Sequence, residues 1–332
     1  MRVGTCVAPG SFAVEERPAP EVPEGWVLLD ICSVGICGTD YHILEGKHPF
    51  LNYPRVIGHE LSARVARDSA GFAAGDLVVV NPYLACGTCR ACTRGKPNCC
   101  MAIEVLGVHR DGGLADQLAV PAGNLYPATG LTTREAAMVE FLAIGAHAAA
   151  RAELRPGDRV LVTGAGPIGL GTALFARIAE AEVTFLDISP ARLATMRDTF
   201  GFDATHGAIA DAMATTEGDG FDAVFDATGN ARAIEAGFAA VAHGGSYVLV
   251  SVVKDDITFA DPEFHKREMR LIGSRNALRA DFETVMQAFR DRRIDADALC
   301  SATLTLEELA GRFAGLAADR ADLVKVMVDL RP

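Results

Sequence analysis

The chain has 332 residues, half of them apolar and 22 % charged, so it is long enough for about two domains with real cores and is not a disordered polymer. Its 43 acids against 31 bases leave a net charge of −12, which argues against a surface that grips nucleic acid or anionic membrane, since both need a basic footprint. No apolar run approaches the ~20 residues of a membrane span, and Met1–Cys6 has no leader-like apolar stretch, so a cytoplasmic protein with neither membrane nor nucleic-acid partner is expected.

The first ~145 residues hold short runs rich in Val and Ile, such as 26–31 and 77–80, broken by Gly, Pro and Asn. They predict an irregular all-β unit, a partly open barrel. From Gly157 the pattern changes. Residues 160–163 read as a buried strand, 168–180 as an Ala-rich helix and 183–187 as the next strand. Ser189-Pro190 reads as the N-cap and first position of another helix. Runs at 221–226 and 246–250 continue the alternation, which means a doubly wound parallel sheet, hence an α/β chain overall. Helical stretches near 281–290 and 306–317 precede a last strand-like run at 323–328.

Nine cysteines, an odd number in a chain too large to need disulfide staples, read as metal chemistry in a reducing compartment. Cys86, Cys89 and Cys92 are separated by two-residue gaps, and a thiolate returns at Cys99 or Cys100. Four sulfurs with no open position fit a structural Zn²⁺; an iron–sulfur centre is the alternative. Gly164-Ala-Gly166-Pro167-Ile168-Gly169 follows a predicted strand and opens a predicted helix, and Asp187 ends the next strand eighteen residues later. That context makes a dinucleotide fingerprint: the glycines admit a pyrophosphate to the helix N-terminus. Asp187 would bind the adenosine ribose and repel a 2′-phosphate, so NAD is expected over NADP. The expected cofactor set is Gly164, Gly166, Pro167, Ile168, Gly169, Asp187 and Arg192.

A third group is Gly35-Ile-Cys37-Gly-Thr39-Asp40-Tyr-His42 with Gly58-His59-Glu60. Singly, Cys37 or His59 is more often a core residue. Together, beside a nicotinamide site, they make the thiolate, imidazole and carboxylate of a catalytic zinc with an open position. Glu140 is a carboxylate in an apolar run and needs a partner such as a metal.

These motifs, in this order, resemble the zinc-dependent medium-chain alcohol dehydrogenases over nearly the whole chain: GICGTDYHI, YPRVIGHE, the cysteine lobe, VEFLAIGAHA and VLVTGAGPIGL. The resemblance implies a GroES-like β domain over 1–146 carrying two zincs, a Rossmann NAD domain over 147–274, and a C-terminal return over 275–332. It favours Cys100 over Cys99 as the fourth ligand of the structural zinc, with Cys86, Cys89 and Cys92. It implies Cys37, His59 and Glu60 as catalytic zinc ligands. Glu140 would be a second acid, bound directly or through water, and it resembles the polyol and sugar-acid branch. Phe141 departs from the proline common after that acid. Thr39 and His42 would relay the substrate proton, with Asp40 supporting the site. Zinc would act as a Lewis acid while nicotinamide accepts a hydride. A homodimer or homotetramer is expected.

Segments around His109-Arg110 and from Asp261 to Ala277 are similar to bacterial hexonate 5-dehydrogenases of L-galactonate or L-gulonate. Arg275 and Asn276 are therefore the expected substrate residues, Arg275 offering a fork for a carboxylate; a structural ion pair is the plainer alternative. Sorbitol- or iditol-type and L-threonine 3-dehydrogenase activities compete. So do a zinc-free quinone reductase and a zinc-ribbon interaction protein using Arg90, Arg94 and Lys96. The charge and the dinucleotide motif weigh against the last, and the Cys37, His59 and Glu60 set against the quinone reductase.

Overall fold

Runs of β-branched residues become strands where neighbouring strands satisfy their backbone. The computed structural model describes residues 1–48, 51–320 and 323–331. The chain folds into two compact units, Met1–Glu140 with Val285–Pro332, and Phe141–Thr284.

The first unit starts with β1 (Arg2–Ala8), β2 (Ser11–Glu16), β3 (Trp26–Ile36), β4 (Arg55–Val56), β5 (Glu60–Val65) and β6 (Leu77–Val80). It continues with β7 (Tyr83–Leu84), β8 (Glu104–Val105), β9 (Gln117–Pro121) and β10 (Leu125–Pro127). β1 pairs antiparallel with β2 and β4, and β7 pairs antiparallel with β8. β3 alternates buried and half-buried residues up to Ile31, as expected of a strand with one wetter face, and is then buried on both faces to Ile36.

In the second unit β11 (Arg159–Thr163), β12 (Glu182–Leu186), β13 (Thr205–His206), β14 (Phe221–Asp226), β15 (Val241–Leu249) and β16 (Arg270–Gly273) are all parallel. Their order is β13-β12-β11-β14-β15-β16, the doubly wound order in which ligands bind outside the carboxyl ends of the strands. Val160, Leu161 and Val162 are fully buried, the continuous apolar run that a central parallel strand requires. Between β11 and β12 lies the helix Pro167–Ile178, with Gly166 as N-cap and Pro167 at its first position. Ser189 caps the helix Pro190–Asp198, its hydroxyl accepting from Arg192 N.

The chain returns to the first unit with β17 (Cys300–Thr305) and β18 (Lys325–Asp329). β18 pairs antiparallel with β3, giving the order β10-β6-β5-β3-β18-β17, with β9 also on β3. The mixture is a β unit joined to a doubly wound α/β unit, the fold class expected. Among the described residues, no helix is long and apolar enough to cross a membrane.

Candidate functional site

Three neighbouring strands converge at one end of the large sheet. β3 ends at Ile36 and delivers Cys37. β5 begins at Glu60, directly after His59, and Gly35 pairs with Glu60 across the ladder. β18 puts Val326 opposite Ile36, so Lys325 arrives at the same end. The Sγ of Cys37, a ring nitrogen of His59 and a carboxylate oxygen of Glu60 all lie within 4.8 Å of one another.

The surroundings hold this cluster in place. Cys37 N donates to Asp40 Oδ2 at 2.8 Å and Gly58 N to Asp40 Oδ1 at 3.3 Å, so one fully buried acid ties the start of the helix Gly38–Leu44 to the His59 loop. His59 Nδ1 is 3.8 Å from Asp40 Oδ1, beyond hydrogen-bond reach. Burial disfavours a charged imidazole at His59, but Asp40, Cys37 and Glu140 surround it with enough negative charge to hold its pKa well above the ordinary range. Lys325 Nζ is 2.7 Å from Glu60 Oε1, and both side chains are buried. Burial alone would push that ammonium down, yet Glu60 and Cys37 raise it above its ordinary value. A Cβ on Gly35 would stand 2.1 Å from Glu60 Oε2, so the carboxylate occupies the space that a side chain there would fill.

A divalent ion fits this set. Glu60 Oε2 and His59 Nδ1 are buried and have no hydrogen-bond partner among the described residues, which is costly unless something else satisfies them. Thiolate, imidazole and carboxylate are zinc's ligand types, and three protein ligands leave a fourth position. Glu140, expected in or beside this set, is fully buried, but its carboxylate is not grouped with the other three. Its Oε1 accepts the Tyr83 hydroxyl instead. Burial pushes the Glu140 carboxyl up to about 7, with Glu60 adding to the rise; His59, Tyr83 and Lys325 pull it back. Glu140 is thus an acid held beside the metal set.

Thr39 is half-buried, its Oγ1 3.9 Å from Cys37 Sγ, and His42 lies one turn further along the same helix with an exposed side chain. Tyr83 and Lys325 were not among the residues expected from sequence and sit in no recognisable motif; Gly35 opens the motif that holds Cys37, but its role was not expected. Each matters because of strand register.

The cysteine lobe is a second set that could hold a metal ion. Cys86, Cys89, Cys92 and Cys100 bring their sulfurs within 4.8 Å of one another, while Cys99 is exposed outside the group. Sulfurs bound at about 2.3 Å to a tetrahedral ion stand about 3.8 Å apart. Cys89 Sγ is 3.5 Å from Cys92 Sγ and 3.9 Å from Cys100 Sγ. Backbone N–H groups of Cys86 and Cys89 point at the sulfurs of Cys100 and Cys86, at 3.3 and 3.4 Å, and favour thiolates.

In the second unit the glycine turn is shaped for a dinucleotide. Gly164 has φ +94°, and a Cβ on Gly169 would stand 1.8 Å from Gly164 O, while the space over Gly166 is open. Backbone can therefore approach a phosphate at the N-terminus of the helix Pro167–Ile178. Asp187 follows β12, buried. It accepts from Ala165 N at 2.7 Å and Ser189 N at 2.8 Å, and Arg192 Nη1 is 3.8 Å away. Arg275 and Asn276 follow β16; Arg275 is exposed and Asn276 half-buried at φ +50°.

Residues 23–130 match the alcohol dehydrogenase GroES-like domain, and residues 167–291 match the zinc-binding dehydrogenase domain. The chain is 39 % identical to the L-galactonate-5-dehydrogenase of Escherichia coli (strain K12), over 99 % of this chain and 98 % of that protein. Its fold matches a dehydrogenase of Escherichia coli CFT073, described as a short chain alcohol dehydrogenase and complexed with NADH, at TM-score 0.92 and 26 % identity, covering 99 % of both chains. It also matches L-idonate 5-dehydrogenase from Escherichia coli K-12 at TM-score 0.91 and 26 % identity, over 99 % of this chain and 98 % of that one.

Proposed function

We propose, for a chain that belongs to the zinc-dependent medium-chain alcohol dehydrogenases, that it oxidises a secondary alcohol of an acyclic sugar acid, a hexonate such as L-galactonate or L-gulonate, at C5 with NAD. The observation that carries this reading is full-length similarity to the L-galactonate-5-dehydrogenase, in a chain that also brings Cys37, His59 and Glu60 together. Those three residues would hold the catalytic zinc, and Cys86, Cys89, Cys92 and Cys100 a structural one. When bound, zinc supplies Lewis acidity at the alcohol oxygen and nicotinamide supplies the two-electron acceptor.

The chain's own residues do the rest. The Thr39 hydroxyl, beside Cys37, would accept the substrate hydroxyl proton while giving up its own, and exposed His42, further along the same helix, would be the outer group that passes a proton to water. Asp40 fixes the backbone of Cys37 and Gly58 and so orients the ligand loops. Cys37 and Glu60 formally neutralise a divalent ion, and the Lys325 charge beside Glu60 keeps the set from becoming electron-rich. Asp187 disfavours a 2′-phosphate, hence NAD over NADP. Arg275 binds the substrate carboxylate.

The test is a panel of initial rates on aldonates, the matching neutral polyols, L-threonine and simple alcohols, with NAD and with NADP. L-Galactonate or L-gulonate with NAD should give the highest kcat/KM. Arg275→Ala should cost an aldonate about 1.5–3 kcal/mol in transition-state binding, roughly 10- to 150-fold, and the neutral polyol far less. A neutral polyol or L-threonine as best substrate, or a preference for NADP, would refute the assignment concerned.

A further inference from the structure

Two carboxylates are buried beside Cys37 and His59, and each has one oxygen already committed. Glu60 Oε1 is 2.7 Å from Lys325 Nζ, and its Oε2 is buried with no hydrogen-bond partner among the described residues. Glu140 Oε1 accepts the Tyr83 hydroxyl. Of the two acids, only Glu60 joins the cluster with Cys37 and His59.

Charge makes that choice matter. A divalent ion bound by one thiolate and one carboxylate is formally neutral. A second carboxylate would add a negative charge and weaken the ion's hold on a substrate oxygen. Both acids are buried, and each has a protein partner that bears on which one faces the cluster. The two groups present differ in kind: an ammonium on Glu60 and a phenol on Glu140.

We propose that Tyr83 and Lys325 are positioning residues that decide which carboxylate serves the metal. Lys325 takes one oxygen of Glu60 and leaves the other directed to Cys37 and His59. Tyr83 holds Glu140 outside the set, as a reserve ligand. The inference rests on the reading that Cys37, His59 and Glu60 hold a zinc. Without the Tyr83 hydroxyl, a buried Glu140 oxygen would lose its donor, an unfavourable state that an ion at the adjoining set relieves.

The experiment measures zinc per chain and the rate of zinc release to a chelator, with the cysteine-lobe zinc as internal reference, and the visible absorption of the cobalt(II)-substituted protein. It compares wild type, Tyr83→Phe, Glu140→Gln and the double variant. Tyr83→Phe should slow release from the Cys37 site by about tenfold and change the cobalt spectrum, as Glu140 becomes an added ligand. Both effects should vanish in the Glu140→Gln background. Lys325→Met should weaken zinc binding at that site by about 10- to 100-fold and leave the lobe zinc unaffected. If Tyr83→Phe changes neither measurement, or changes both equally with and without Glu140, the phenol is only packing and the proposal fails while the zinc reading stands. If wild type holds zinc at the cysteine lobe alone, the zinc reading fails and takes this proposal with it.

Discussion

Gly35 lacks a side chain where Glu60 needs room, since an added Cβ would meet Oε2 at 2.1 Å. The contact comes from register: Gly35 lies opposite Glu60 across the β3–β5 ladder, both strands are buried there, and neither can shift without moving Cys37 or His59. Gly35→Ala should therefore push the Glu60 carboxylate out of the metal set. Zinc affinity at that site should fall by about 10- to 100-fold, with dehydrogenase activity falling in parallel. Elemental analysis should find the zinc of the four-cysteine set retained; full zinc at both sets would contradict this account. At the residue scale Cys86, Cys89 and Cys92 were legible from their short spacings, while Cys37, His59, Glu60 and the choice of Cys100 over Cys99 leaned on the resemblance to the family. Gly35 lies in the Cys37 motif, where nothing local shows its role, and Tyr83 and Lys325 carry no local signal: Lys325 is 265 residues from the acid it meets and Tyr83 is 57 residues from Glu140.

The cysteine lobe stands on little else than its own ligands. It is framed by the two-residue strands β7 and β8, with Tyr83 opposite Val105 and Leu84 opposite Glu104. Between them lie a helix of one turn, Arg90–Thr93, and a short 3₁₀ turn, Pro97–Cys99, none of whose residues but Asn98 is buried. With so little apolar burial, a bound ion would supply the lobe's order. Cys89→Ala should release that zinc and lower Tm by roughly 5 °C or more. Cys37→Ala, on a strand end stapled by Asp40 and flanked by β5 and β18, should abolish turnover with a much smaller change in Tm. Calorimetry on the two variants decides the matter: equal losses would show that both ions are structural. In the second unit β11, β12, β14 and β15 and the helices after β11 and β12 were legible in order, because parallel strands read as apolar runs and the second helix starts with the cap signal Ser189-Pro190; β16 and the helices between β13 and β16 were not. The short strands β4, β7, β8 and β13 were not, because two residues carry no periodicity.

At the scale of the molecule, the first unit closes through its chain ends. Arg2 Nη2 donates to Asp116 Oδ1 at 2.8 Å and to Leu330 O at 3.2 Å, and Nη1 to Glu307 Oε1 at 2.9 Å, so one guanidinium ties β1 to a central loop and to the C-terminal return. Burial alone would raise the Asp116 carboxyl, but the Arg2 guanidinium and backbone N–H outweigh it and hold it below the usual carboxylate range. A depressed carboxyl stabilises the fold above its unfolded pKa of about 3.9 and loses that contribution as pH falls through its folded value. The pair is partly exposed, so Asp116→Asn should cost about 1 kcal/mol at neutral pH. The gap in Tm between wild type and variant should narrow below about pH 4; a gap that holds steady to pH 3 would exclude the linkage. The return itself also needed the three-dimensional structure. That the last strand-like run would be a strand was readable from its valines. That it would lie on β3, rather than elsewhere in the sheet, depends on pairing across some 290 residues, which no local pattern encodes. Local spacing by itself marked the cysteine lobe, the dinucleotide turn and much of the order of α and β, because each depends on residues a few positions apart; Cys37, His59 and Glu60, the last two 22 and 23 positions after the first, and the choice of Cys100 over Cys99 needed the resemblance as well. Only tertiary structure showed what holds Glu60 toward Cys37 and His59 and what holds Glu140 aside, because Lys325 and Tyr83 reach them through strand register and contacts that form only after the chain has closed on itself.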